Sequence, residues 1–105
     1  MSEKIQNIGE NDFASATESG VVLVDFWAPW CGPCRAQGKV LDDLAEGDDL
    51  PEGARIAKVN IDEQSALAEQ FNVSSIPTLI VFKDGKVCDK FVGMQDKKTL
   101  IQALS

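Results

Sequence analysis

Residues Val21–Ala28 (VVLVDFWA) are apolar at every position but Asp25, and rich in β-branched and aromatic side chains. A strand that offers apolar groups on both sides needs cover on both sides. That places it at the centre of a sheet with helices on each face. Cys34–Glu46 follows, with Ala36, Val40, Leu41, Leu44 and Ala45 at helical spacing. Arg55–Ile61 reads as a second strand. The three segments form a β-α-β unit, so the two strands should run parallel with a right-handed crossover.

The rest of the chain extends this pattern. Lys4–Asn7 is a candidate edge strand and Asn11–Glu18 a helix. Leu67 and Phe71 stand four apart on a short helix after Asp62. Thr78–Phe82 and Lys86–Val92 are strands joined by Lys83-Asp84-Gly85, a tight turn with Asp-Gly chemistry. Asp96–Leu104 closes the chain as a helix with Leu100 and Leu104 on one face. The order β-α-β-α-β-α-β-β-α predicts an α/β fold with a mixed sheet and helices on both faces. Glu46–Gly53 (EGDDLPEG) reads as a surface loop rather than a linker. At 105 residues, the chain is expected to be a single domain, 1–105.

Charge narrows the partners. Seventeen acids against ten bases give a net charge of −7, which argues against nucleic acid and anionic membranes. The longest apolar runs, Val21–Val24 and Leu79–Phe82, fall far short of the ~20 residues of a membrane helix. Met1 to Phe13 has no apolar core of a secretory signal, so a cytoplasmic location is expected. The chain has no histidine, which removes imidazole acid–base chemistry, His metal sites and Ser-His triads. Three cysteines do not make a disulfide scaffold.

Two of them carry the chemistry. Trp30-Cys31-Gly32-Pro33-Cys34 lies where a strand ends and a helix begins. A helix N-terminus presents unpaired N–H groups and partial positive charge, a field that lowers a cysteine pKa. Cys31 should sit there with its sulfur partly exposed. Cys34, one turn on, is near enough for a disulfide and further inside. Gly32 lets another chain approach, Pro33 suits the first turn, and Arg35 adds positive charge. This spacing supports a two-step exchange: Cys31 attacks a substrate disulfide, then Cys34 attacks Cys31 and frees the reduced substrate. Half of a zinc site and an inert structural disulfide are the alternatives. Zinc normally takes four ligands, and only Cys88 and carboxylates remain to supply them. Arg35 after Cys34 excludes a c-type haem attachment.

The chain resembles the thioredoxin family. The resemblance rests on Val24-Asp25-Phe26-Trp27-Ala28-Pro29-Trp30-Cys31-Gly32-Pro33-Cys34 and Ala57-Lys58-Val59-Asn60-Ile61-Asp62. Ile76-Pro77-Thr78-Leu79, Phe82-Lys83-Asp84-Gly85 and Val92-Gly93 continue it in order along nearly the whole chain. It implies the thioredoxin fold, a central mixed five-stranded sheet flanked by four helices. It implies a general protein-disulfide reductase with diverse protein substrates, acting as a monomeric dithiol electron carrier. Thioredoxin reductase would recharge it. NADPH and FAD would belong to that partner, and this chain would bind no cofactor and no metal.

The resemblance also assigns roles by position. Asp25 becomes the proton acceptor for Cys34, in keeping with the raised pKa of a carboxyl inside an apolar strand. Lys58 becomes the partner of Asp25; otherwise it is a strand lysine facing water. Ile76-Pro77 is expected to be cis and to oppose the cysteines, with the Ile76 backbone open to an incoming peptide strand. Trp30, Ile76, Pro77, Val92 and Gly93 would form a shallow apolar substrate surface, and Gly32-Pro33 would tune the pair. Trp27 is expected to pack in the core.

The chain departs from the family at the active-site helix, where Arg35 also replaces the commoner lysine. The helix usually bears a proline five residues after the second cysteine; here Gly38-Lys39 occupies that region. Cys88, on a predicted strand, is expected to be a small buried apolar residue. Its regulation by oxidation, glutathionylation or dimerisation is the alternative. Gly-Pro between the cysteines and the lack of a signal argue against an oxidase or isomerase. A thioredoxin-fold binding subunit, with catalysis incidental, is a reading from another class.

Overall fold

A computed structural model describes residues 2–105. The elements are β1 (Gln6–Asn7), α1 (Phe13–Thr17), β2 (Val21–Trp27), α2 (Gly32–Glu46) and β3 (Arg55–Asn60). They continue as α3 (Ser65–Gln70), β4 (Thr78–Lys83), β5 (Lys86–Val92) and α4 (Lys97–Leu104). Order and type follow the sequence reading, with boundary shifts. β1 and α1 are shorter than expected, and α2 begins two residues earlier.

The sheet runs β1-β3-β2-β4-β5. β2 pairs parallel with β3 and antiparallel with β4; β1 is parallel to β3 and β5 antiparallel to β4. The apolar strand therefore sits at the centre, as its two-sided hydrophobicity requires. Alternation along β2 sorts its side chains into two cores. Val22, Val24 and Phe26 pack with Phe13, Leu67 and Phe82 on the α1/α3 face. Leu23 packs with Leu41, Leu44, Leu79, Leu100 and Leu104 on the α2/α4 face. Full burial of a leucine such as Leu41 or Leu44 stabilises the fold by about 1.5–3 kcal/mol.

The β4–β5 turn has both central residues at positive φ, Asp84 at 51° and Gly85 at 85°. This is the turn geometry that matches strand twist and favours Asp-Gly. Gly20 N–H donates to Asp84 Oδ1 at 2.9 Å and fastens the turn to the start of β2.

Cys88 corrects the sequence reading: it is exposed, not buried. β5 is an edge strand, and every residue in it except Phe91 is exposed. The ladder also slips within it. Val81 pairs with Asp89 and Phe82 with Val87, which leaves Cys88 as the extra residue of a β-bulge. An apolar pattern alone does not reveal a bulge on an edge.

Candidate active site

β2 ends at Trp27 in the middle of the sheet, and α2 starts five residues later. The carboxyl end of a central strand is where α/β sheets open a site. Cys31 is the N-cap of α2, with extended backbone at φ −91° and ψ 113°. Its sulfur accepts a hydrogen bond from the Cys34 N–H at 3.2 Å. One of the orphan donors of the first turn is therefore aimed at the Cys31 sulfur. Pro33 occupies the first turn, where its missing N–H removes no helical bond. The two sulfurs are joined as a disulfide with Cα atoms 5.2 Å apart.

Both cysteines are enclosed: Cys31 is 5% exposed and Cys34 2%. For Cys31 this corrects the sequence reading, which expects a partly exposed sulfur. Ala28 is buried with the pair, and Trp27, Ile61 and Ile76 pack against this cluster. The Ile76 carbonyl oxygen lies 3.8 Å from the Cys31 sulfur. The Ile76–Pro77 bond is cis, and the Gly93 N–H donates to the Pro77 carbonyl at 2.8 Å. Thr78 pairs with Val92 across the β4–β5 ladder. Cys31, Ile76, Pro77, Val92 and Gly93 thus form one connected edge of the molecule.

That edge is apolar and open only in part. Val92 is exposed, and Ile76 and Gly93 are half-buried. Pro77, which the sequence reading puts in the contact surface, is buried like Cys31, with Trp30 and Met94 exposed beside them. Trp30 is 66% exposed, Val92 61% and Met94 46%. Trp30 is held at the surface: its Nε1–H donates to the Asp62 carboxylate, at 3.1 Å to Oδ2. Sequence reasoning does not single out Asp62 or Met94. A tryptophan–carboxylate pair separated by 32 residues leaves no local signal.

Beneath the disulfide lies a polar row. Asp25 shares its sheet face with Leu23 and Trp27, the side that α2 covers. It is fully buried, and neither carboxylate oxygen has a hydrogen-bond partner among the described residues. Burial pushes its carboxyl from the ordinary 3.8 up to about 7, while the Lys58 charge pulls the other way. Lys58 is its register neighbour on β3 and is itself 5% exposed, rather than a lysine facing water. Among the described residues no ion pair joins the two, so Lys58 acts on Asp25 through its field. The Lys58 ammonium instead lies 4.6 Å from the centroid of the Trp27 ring. Trp27 is half-buried and packs on the disulfide rather than in either main core.

Gly38 belongs to this row. A Cβ at Gly38 would stand 3.5 Å from Lys58 Nζ. The helix continues through Gly38 and Lys39 without interruption. A cavity of about 210 Å³ opens here, lined by Trp27, Cys34, Arg35, Gly38, Lys39 and Lys58 among others. Arg35 is tied to the Pro29 carbonyl at 3.2 Å.

A disulfide closed over two intervening residues, with one sulfur taking a helix N–H, can open and close reversibly, so its own two sulfurs are the redox group. Geometry and chemistry together define a thiol–disulfide reductase with a CxxC active-site disulfide. The thioredoxin family profile matches residues 4–105. A thioredoxin of Staphylococcus epidermidis is 50% identical over 100 residues, spanning 95% of this chain and 94% of the relative. A thioredoxin of Staphylococcus aureus matches to the same extent. Among solved structures, a point-mutant thioredoxin from Halobacterium salinarum superposes with a TM-score of 0.85 at 35% identity, covering 96% of this chain and 88% of that one. Malassezia sympodialis thioredoxin gives 0.84 at 31% identity, covering 98% and 93%. The chain belongs to the thioredoxin family.

Proposed function

We propose that this chain, read as one domain over residues 1–105, reduces disulfides in a range of proteins. The Cys31 thiolate attacks one sulfur of a substrate disulfide. That S–S bond breaks, one substrate thiolate leaves, and a mixed disulfide forms. The Cys34 thiolate then attacks the Cys31 sulfur and expels the second substrate thiolate. Two electrons pass to the substrate, and Cys31–Cys34 is left oxidised. The observation that carries this reading is the Cys34 N–H directed at the Cys31 sulfur at the head of α2, a contact that favours negative charge on sulfur.

Asp25 serves as proton acceptor for Cys34. A carboxyl with a pKa near 7 can both take and return a proton at neutral pH. Lys58 keeps it from rising further. Trp30, Ile76, Pro77, Val92 and Gly93 receive an extended peptide around Cys31, with Ile76 offering backbone groups for strand-like pairing. Gly32 and Pro33 set the loop that spaces the sulfurs. A flavin- and NADPH-dependent thioredoxin reductase returns the pair to the dithiol. The setting is the cytoplasm; among the described residues, no helix is long and apolar enough to cross a membrane.

The test is dithiothreitol-driven reduction of a single-disulfide peptide. Activity should vanish in Cys31→Ser, and pre-reduced Cys34→Ser, freed of dithiothreitol before the peptide is added, should accumulate a mixed disulfide at Cys31. A covalent adduct at Cys88 instead, or full activity in Cys31→Ser, would overturn the reading.

A further inference from the structure

Gln37 stands three residues beyond Cys34, on the same face of α2, and is fully buried. Its side-chain amide is used at both ends. The Nε2–H donates to the Gln95 carbonyl at 3.1 Å, and Oε1 accepts from the Gln95 N–H at 2.7 Å. The other orientation of the amide would set like groups against each other, so the double bond pattern fixes it. A buried amide is costly where an apolar side chain would pack, unless its bonds are made. Here they are made to a backbone, in a loop outside any helix or strand.

That loop, residues 93–96, carries the rim of the site. Gly93, at φ +95°, donates to Pro77, and Gln95 Nε2–H reaches back to the Gly93 carbonyl at 3.3 Å. Asp96 caps α4 by accepting from the Thr99 N–H at 2.9 Å. Met94, exposed, projects from the stretch between these anchors, and Val92, also exposed, ends β5 just before it, paired with Thr78. Among the described residues, these two bonds from Gln37 join the loop directly to the helix that bears the cysteines, while its other outward hydrogen bonds run to Pro77, next to β4, and to α4.

We propose that Gln37 is a positioning residue that sets the Val92–Met94 rim relative to Cys31, and so favours polypeptide disulfides over small ones. It rests on the reading of Val92 and Gly93 as a peptide-contacting surface. A small disulfide that meets only the sulfurs makes no use of that rim. A polypeptide does, and loses contact when the rim moves.

The experiment compares Gln37→Leu and Gln37→Met with the parent chain, all on a Cys88→Ser background. One substrate is a single-disulfide peptide, turned over with dithiothreitol as electron donor. The other is 5,5′-dithiobis(2-nitrobenzoate), which dithiothreitol reduces directly, and which is therefore mixed with pre-reduced protein freed of dithiothreitol and followed in a single turnover. Both variants fill the site with an apolar group, and the second keeps the unbranched shape. The peptide KM should rise about three- to tenfold, with kcat within about twofold and the small-disulfide rate unchanged. Amide exchange at Gln95 should quicken at least about tenfold, while the reduction potential stays put. A Val92→Asp variant tests the underlying surface. An unchanged peptide KM there would remove the surface reading and this inference with it. A raised KM in Val92→Asp with a parental KM in both Gln37 variants would overturn the inference alone. Equal losses on both substrates would also overturn it, because a merely structural role predicts them.

Discussion

Asp25 and Lys58 are register neighbours on the parallel strands β2 and β3, both buried, yet no ion pair joins them among the described residues. The lysine lies over Trp27 instead, and the carboxylate is left in an apolar layer under α2. Opposite charges that approach without contact leave the acid near 7 rather than fully ionised at neutral pH. The proton chemistry of the site follows from that spacing.

The first prediction concerns stability. The folded pKa of Asp25, about 7, lies above its ordinary 3.8, so the native state holds the proton more tightly than the unfolded one. Stability of the oxidised protein therefore falls as pH rises from about 4 to about 7, and levels off above. At about 1.4 kcal/mol for each tenfold change in proton affinity, the loss is on the order of 4 kcal/mol. Asp25→Asn should abolish this slope in urea unfolding measured across that range. Identical slopes in the two proteins would refute the buried, raised carboxyl.

Lys58→Met removes the charge that opposes desolvation. The Asp25 pKa should then move above 7, and the fall in stability should extend to more alkaline pH. The pH dependence of disulfide exchange should move the same way. No movement in either profile would mean that the lysine field does not reach the carboxylate.

Cys88 is the bulge residue of an exposed edge strand. The folded, oxidised protein should react with one equivalent of 5,5′-dithiobis(2-nitrobenzoate) per chain without denaturant, and Cys88→Ser with none. Reaction only after unfolding would contradict the exposed bulge.

Trp30→Ala removes the largest exposed apolar group beside Cys31. Stability should change by no more than about 0.5 kcal/mol, because the ring is mostly in solvent. The peptide KM should rise about fivefold, with the small-disulfide rate unaltered. Asp62→Ala, which frees the indole N–H, should show a weaker form of the same effect. Unchanged peptide kinetics in Trp30→Ala would take the tryptophan out of the substrate surface.

Much of this is legible in the chain. The apolar octet around Asp25 forces a central strand, and Pro33 after Cys31 marks a helix start, so pattern alone places the cysteines and the buried acid. The reading fails where long-range geometry decides. Lys58 looks like any strand lysine until the Trp27 ring is seen beside it. Gln37 interrupts the apolar periodicity of α2, but its purpose lies in a backbone 58 residues away. Cys88 sits in a run with strand composition, and its exposure follows from the edge position of β5, where every residue but Phe91 is exposed, with the register slip placing it at a bulge.

The most direct test is the equilibrium reduction potential of Cys31–Cys34 in dithiothreitol redox buffers. Trp27 packs on the disulfide and Trp30 adjoins it, so intrinsic fluorescence reports the change without a label. A single two-electron transition more reducing than about −230 mV is the expected result for a disulfide reductase. A transition near about −180 mV or more oxidising would contradict it and point to an isomerase or oxidase.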